Sequence, residues 1–305
     1  MPYSFAALNH RFISIAGTDA IKFLQGQCSC DLLTLQENQF TFGTLNTPKG
    51  RMYSLFKLIK TEQGLLLSLE ESLLEATLEK LRKYAAFFKC ELKEATHYKA
   101  LGLFNARSSA ENFTLEQSGN SYALTLSRKQ ALHEIWLADS DTPEQIAQRF
   151  PGLGITADSG TQASPEHWYA LETQLGIPAL YKQTQEEFIL QTLNLQLLGA
   201  VSFKKGCYTG QEIIARMKFL GKLKKKCYLL QADQRLIAEP NQSVLDTHGN
   251  KSGTVVRSHW SEQTGSVTLA VLNIEDAQDA ASFYLEGHTE TAFKLTEPDY
   301  SEFNH

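Results

Sequence analysis

Apolar and polar positions along this chain switch between a two-residue and a helical period, and the switches mark its elements. A two-residue period over residues 11–16, 39–46, 51–60 and 65–69 predicts strands. Thr47-Pro48-Lys49-Gly50 and Glu62-Gln63-Gly64 supply turns between them. Ahead of these, Thr18 is placed to cap a short helix over 19–25, which Gly26 ends. Leu74, Leu78 and Leu81 recur at helical spacing and mark one face of a helix over 72–84. Short strands are predicted over 89–92, 98–105, 121–127 and 132–138, after which Thr142-Pro143 opens a further helix.

Residues 151–162, rich in Gly, Ser, Thr and Asp, read as a linker. Ser164-Pro165-Glu166 then starts a helix that carries Trp168 and ends at Gly176. From residue 222 onward the pattern changes to short alternating segments, 222–231, 251–259, 266–273 and 291–295. Turns at His248-Gly249-Asn250 and Gln263-Thr264-Gly265 divide them, which predicts a small β-barrel or sandwich. No tandem repeat of fixed period interrupts this course.

Composition narrows the setting. The chain has 305 residues, 42% hydrophobic and 21% charged, as expected for an ordinary globular protein of two or three domains. No basic segment followed by an apolar run is visible at residues 1–12, and no stretch approaches the roughly 18 apolar residues of a membrane span. Five cysteines, an odd number, do not read as a disulfide framework, so reduced thiols and a cytoplasmic location are expected, with no membrane partner.

Charge is unevenly spread. The net charge is −5, yet Lys204, Lys205, Arg216, Lys218, Lys222, Lys224, Lys225 and Lys226 are opposed within their segment only by Glu212. Two readings stand: a site for an anionic partner such as phosphate, a polyglutamate tail or RNA, or a solvated face.

Most catalytic templates are missing. The eight histidines show no zinc-ligand spacing, Cys28 and Cys30 form a lone C-x-C pair, and no metal is expected. Cys90 and Cys227 lie in apolar stretches and read as core residues. Phosphate-binding, dinucleotide-binding and serine-esterase signatures are absent.

Lys205-Gly206-Cys207-Tyr208-Thr209-Gly210-Gln211-Glu212 stands apart. Thr209 and Glu212 have the spacing of a capping box ahead of Ile213-Ile214-Ala215. Cys207 would then sit near a helix N-terminus, where unpaired N–H groups and Lys204 and Lys205 favour a thiolate. Gly206 and Gly210 permit positive φ or close approach of a ligand. A cysteine merely buried beside a tight turn is the other reading.

The segment from Val201-Ser202-Phe203-Lys204 through Glu212 resembles the signature of the YgfZ family, folate-binding proteins related to the aminomethyltransferase (T-protein) of the glycine cleavage system. Phe23-Leu24-Gln25-Gly26-Gln27, Lys49-Gly50-Arg51-Met52, Leu81-Arg82-Lys83-Tyr84-Ala85 and Asn194-Leu195-Gln196-Leu197-Leu198-Gly199 follow the family's order, so the resemblance covers essentially the whole chain.

It implies an α+β fold, a three-domain ring whose central hole admits tetrahydrofolate. Residues 1–47 and 152–218 would form a discontinuous first domain, 48–151 an inserted ferredoxin-like domain, and 219–305 a β-barrel. It further implies support for assembly or repair of iron–sulfur clusters in client proteins, including radical enzymes that thiolate tRNA. The family depends on the cysteine matched by Cys207, with Lys205, Gly206, Tyr208, Thr209, Gly210, Gln211, Glu212 and Arg216 as the supporting motif. A thiolate is a soft ligand for iron and sulfur and equally a group for thiol exchange. One cysteine does not hold a cluster, which takes about four ligands, so a cluster role requires a partner.

Departures from the pattern matter. Tyr53 and Ser54 stand where aminomethyltransferases carry a paired Asp, so the carboxylate for releasing ammonia is missing and an enzymatic role is disfavoured. Gln174-Leu175-Gly176 replaces Glu-x-Gly at the pterin contact. An amide offers one acceptor and a donor where a carboxylate only accepts, which leaves Gln174 or Glu172 to hold folate. Trp168 matches a tryptophan of the folate site and reads either as a stacking surface or as a core aromatic. His10 stands where some relatives have another tryptophan. Three functions follow: a folate-dependent maturation factor, which is preferred, a folate-dependent one-carbon transferase, and an RNA-binding module using the 204–226 patch.

Overall fold

The structure, a computed structural model, describes residues 3–106, 110–139, 141–142, 145–156, 160–280 and 282–303. The chain opens with strands β1 (Tyr3–Leu8) and β2 (His10–Ala16), then helix α1 (Ala20–Gln25) and strands β3 (Phe40–Asn46), β4 (Met52–Thr61) and β5 (Gly64–Glu70). Helix α2 (Leu74–Ala85) and strand β6 (Glu91–Glu94) follow. Strands β2 to β6 make one antiparallel sheet in the order β3-β4-β5-β2-β6. Its hairpins form because turns with positive φ at Gly50 (71°) and Gly64 (147°) join alternating apolar runs. Helix α2 packs on it through Leu74, Leu78, Leu81 and Ala85, which share one face, while Glu79 and Lys83 pair on the outer face at 3.0 Å.

One residue, Asn9, separates β1 from β2, yet the two strands belong to different sheets. Strand β1 joins β7 (Tyr98–Phe104), β8 (Leu115–Ser118), β9 (Ser121–Ser127), β10 (Leu132–Ala138) and β11 (Gly160–Gln162) in the order β11-β1-β7-β10-β9-β8. Strands β9 and β10 are buried at every position, as strands covered on both faces are. Helix α3 (Ile146–Arg149) precedes β11, and α4 (Pro165–Gln174) follows it. Ser164 caps α4 by accepting from the Glu166 N–H at 3.2 Å.

Helix α5 (Gln211–Phe219) leads into a closed six-stranded barrel of β12 (Lys225–Ala232), β13 (Ser243–Leu245), β14 (Lys251–Ser261), β15 (Gly265–Asn273), β16 (Ser282–Leu285) and β17 (His288–Thr296). Pairing of Leu229 with Thr296 and of Leu230 with Leu295 closes it, which removes the exposed edges of an open sheet. A short helix, α6 (Ile274–Asp279), crosses from β15 to β16. Val244, Val255, Leu230, Phe283 and Phe293 fill the interior.

The strands and helices expected from periodicity are present with shifted ends, and of the two C-terminal alternatives the barrel is the one formed. Three local expectations are corrected. Helix α1 has no side-chain cap from Thr18. Asp19 stands at its N-cap, and its carboxylate accepts from the Lys89 N–H at 2.9 Å. Gly26 is right-handed at φ −82°, so it is not a left-handed stop. Short strands β1, β8, β11, β13 and β16 were not anticipated. Pro143, expected to open a helix, and residues 157–159 of the expected linker lie outside the described residues. The expected division after residue 47 falls in the turn between β3 and β4, which pair with each other.

Candidate functional site

A cavity of about 230 Å³ lies where β2, β4, β5, α4, residues 177–181 and barrel strand β14 meet. Leu55, Phe56, Ile177 and Leu180 give it an apolar side, and His10, Lys57, Glu172, Arg257 and His259 a polar one.

The polar side is a network. The Lys57 ammonium donates to Glu134, buried beneath the cavity on β10, and to Glu172 Oε1 at 2.9 Å. The other oxygen of Glu172 accepts from Arg257 at 3.3 Å, and the same guanidinium nitrogen donates to the Ile177 carbonyl at 3.1 Å. Glu134 also accepts from the Trp136 indole N–H at 2.7 Å and lies 3.1 Å from His10 Nδ1.

Three of these charges sit in strands because cross-strand and cross-domain partners satisfy them. Burial alone would push the Lys57 ammonium down, but Glu134 and Glu172 outweigh it and hold the group above its usual value. Burial would raise Glu134 and Glu172. Lys57 with His10, and Lys57 with Arg257, reverse this and hold both carboxyls below their usual range. Lys57, Glu134 and Glu172 therefore stay ionised near neutral pH.

Tyr169 forms the aromatic wall. Its ring stacks on His259 with centroids 5.2 Å apart, and Arg257 lies 5.6 Å from the tyrosine centroid. Burial lowers the His259 pKa, and its Nδ1 lies 3.0 Å from Glu166. Among the described residues, the buried Nε of Arg257 has no hydrogen-bond partner. An aromatic wall, carboxylates that accept from ring N–H groups and an unpartnered guanidinium donor suit a flat heterocycle with polar edges and an anionic tail.

Of the expected contacts, Glu172 lines this cavity, whereas Trp168 and Gln174 do not; His10, expected only as the loss of one wall, lines it as well. Trp168 is fully buried against β7, where a Cβ on Gly102 would come within 2.2 Å of the indole. The missing Cβ admits the ring, so of the two readings of Trp168 the structure has the core aromatic, and the next residue on the helix, Tyr169, lines the cavity. Ser54 is buried and accepts from Thr77 at 2.9 Å. Tyr53 lies under Lys80 at 4.0 Å, and neither residue faces the cavity. Lys57, Glu134, Tyr169, Arg257 and His259 were missed. Their one sequence signal is a charged residue inside an apolar strand, as in Leu55-Phe56-Lys57-Leu58-Ile59.

Cys207 is elsewhere. It is exposed, does not line the cavity, and lies three residues before Gly210, the N-cap of α5. Its neighbours are tied down. Lys205 is buried, and its ammonium donates to the carbonyls of Gln25, Cys28 and Cys30 at 2.7, 2.9 and 2.7 Å. The same ammonium sits 5.2 Å from the centroid of the buried Tyr208 ring. Gly210 has φ +85°, and a Cβ there would meet the Thr47 carbonyl at 2.6 Å, so only glycine fits. Gly50 in turn faces Ile213, so the two glycine turns pack on one another.

The expected capping box does not form. Gly210, not Thr209, is the N-cap, no side chain caps the helix, and Glu212 instead pairs with Arg216 at 3.2 Å. Gln211 opens the helix, and Gly206 borders open space. Cys28 and Cys30 lie buried, with their sulfurs 3.6 Å apart. Among the described residues no group of three or more His, Cys, Asp or Glu could hold a metal.

The basic segment is also smaller than its sequence. Lys205 is buried, Arg216 pairs with Glu212, and Lys226 pairs with Glu297 at 3.0 Å. Lys204, Lys218, Lys222, Lys224 and Lys225 remain exposed. Among the described residues no helix is long and apolar enough to cross a membrane.

No family model matches the chain. The tRNA-modifying protein YgfZ of Photobacterium profundum is 30% identical over 297 residues, covering 95% of this chain and 88% of the relative. The protein of the same name from Yersinia pestis (strain Pestoides F) is 29% identical over 282 residues, covering 88% and 83%. Among solved structures, the glycine cleavage system aminomethyltransferase T of Bartonella henselae matches with a TM-score of 0.74 and 14% identity, over 100% of this chain and 88% of that one. The chain therefore has the aminomethyltransferase fold, in agreement with the expected fold class.

Proposed function

The chain belongs to the YgfZ family, and from that premise we propose that it is a folate-binding accessory factor for tRNA modification. In this reading it supports assembly or repair of iron–sulfur clusters in client proteins, among them enzymes that thiolate tRNA. Cys207 is its working thiol, and the cluster or sulfur species is cargo shared with a partner.

One observation carries the reading. Cys207 is exposed on a segment whose flanking Lys205 and Tyr208 are buried and whose Gly210 admits no other residue. A cysteine serving only packing would be turned inward, as Cys28, Cys30 and Cys227 are. An exposed thiol on a fixed support is suited to meeting a second macromolecule.

The cavity supports tetrahydrofolate as cofactor. Tyr169 and His259 would hold the flat ring system, Glu166 or Glu70, which also line the cavity, would accept from its N–H groups, and the free Nε of Arg257 would donate to an oxygen. When bound, the cofactor supplies a carrier for one-carbon groups. The chain's own residues then bind and orient it and exclude water. Glu134 and Glu172 are already committed to Lys57, Arg257 and His10, so neither is a free base for transfer chemistry. This favours an accessory role over a one-carbon transferase. Five free cysteines support a reduced, cytoplasmic setting.

The test is tRNA thiolation in cells that depend on this protein. Cys207→Ser should fold and accumulate normally yet fail to restore thiolated tRNA. Full restoration by that variant would reject the thiol assignment.

A further inference from the structure

A second concavity lies beside the Cys207 segment, outside the central cavity. It measures about 570 Å³, with Phe40, Phe113, Leu198 and Val201 along its floor and Lys204 and Lys218 on its rim. The strand of chain that forms one wall runs directly into Cys207. Three residues span at most about 11 Å, so the Cα atoms of Lys204 and Cys207 lie within that distance. Helix α5, whose N-cap Gly210 follows Cys207 by three residues, contributes Lys218 to the groove.

The charge and apolar character of this region are both unmatched within the chain. Among the described residues, Lys204 and Lys218 have no ion-pair partner, and neither do Lys222, Lys224 and Lys225 beyond them. Asp31 is the one acid lining the groove, and its Oδ1 accepts from the Gln25 side chain at 2.9 Å and the Leu33 N–H at 3.1 Å rather than from a lysine. Residues 204–226 carry +7, which leaves −12 for the rest of a chain whose net charge is −5. Apolar surface continues past the rim, where Phe219 is 66% and Leu220 85% exposed. Two large apolar side chains at the end of a helix, ringed by lysines, form an amphipathic surface of one sign.

We propose that this groove docks an acidic segment with apolar anchor side chains, presented by the partner protein on which Cys207 acts. This rests on the thiol role proposed above and supplies the surface that would bring a client to it. Acidic side chains meet the lysine rim, and aliphatic or aromatic side chains enter the groove and cover Phe219 and Leu220. A nucleic acid fits less well. The Phe203 ring is occupied by the Lys218 ammonium at 3.8 Å, which leaves that face closed to a base, and Leu220 offers no stacking surface.

The test is fluorescence anisotropy with a labelled eight-residue peptide alternating Glu with Leu and ending in Phe. The wild-type protein should bind it. Lys204→Glu combined with Lys218→Glu should weaken binding at least about tenfold, since both residues are exposed and their reversal repels acidic groups. Leu220→Ser should weaken it about threefold even at high salt, where the charge contribution is screened. Cys207→Ser should leave it unchanged, because docking needs no thiol. Peptide failure is thus separable from failure of the thiol role, which is read by tRNA thiolation. Absence of peptide binding, or equal binding by the double variant, overturns the proposal. So does tighter binding of an oligouridylate of equal charge that the double variant abolishes, which assigns the surface to RNA. A wild-type dimer dissociated by the double variant assigns it to a second copy of the chain and also overturns it.

Discussion

The central cavity and the Cys207 segment use charge in opposite ways. In the cavity, Lys57, Glu134, Glu172 and Arg257 are all buried, and each charge is met by another. Around Cys207 one lysine is buried to hold three carbonyls, while the exposed Lys204 and Lys218 have no ion-pair partner among the described residues. A closed, neutralised network holds a shape and orients a ligand. An open, unneutralised surface is left for something that arrives from outside. Under the proposed function the two regions would serve a held cofactor and a presented thiol in separate places.

The contrast breaks most readily in the cavity. Removing one member of a buried charge network strands its partners, at a cost of about 3–5 kcal/mol. Lys57→Met should lose that much in chemical denaturation, and a loss below about 1 kcal/mol would show that the network is not structural. The same network sets acid sensitivity. Glu134 and Glu172 are held below their usual values, so their contribution is present above the ordinary carboxylate range of about pH 4 and lost as pH falls through the lowered values. Lys57 is held above its usual value, so its contribution persists below about pH 10 and is lost only at more alkaline pH. The network's own contribution should be flat between these limits, and Glu172→Gln should blunt the acid limb of a pH–melting curve.

A smaller effect sharpens the second region. Gly210→Ala forces a side chain into positive φ and against the Thr47 carbonyl, which should cost about 1–3 kcal/mol. Gly206→Ala meets nothing and should stay within about 0.5 kcal/mol. Equal costs at the two glycines would show that the support of Cys207 is not rigid. Smallest of all, Cys207→Ser should change stability by no more than about 0.5 kcal/mol, as expected of an exposed side chain.

The two regions were legible in the sequence to different degrees. The Cys207 segment is local: eight consecutive residues name the thiol and its glycines. The hairpins and the barrel were likewise visible, because alternation and turn residues are local signals. The cavity is not local. Lys57 meets Glu134 across 77 residues and Glu172 across 115, and nothing in a one-dimensional pattern pairs them. Trp168 and Tyr169 show how little separates a buried ring from one that lines the cavity. Adjacent residues on a helix point about 100° apart, and Gly102, distant in sequence, decides which ring is buried. The capping box failed for a related reason. Thr209 and Glu212 have the right spacing, but the close approach to Thr47 requires a glycine at the helix start.

The division of labour is tested most directly by tetrahydrofolate affinity, measured by quenching of intrinsic fluorescence in the wild type, Cys207→Ser and Arg257→Met. The account predicts unchanged affinity in Cys207→Ser and at least about tenfold weaker binding in Arg257→Met, consistent with loss of a charged hydrogen bond. Affinity lost in Cys207→Ser, or unaltered in Arg257→Met, would contradict it.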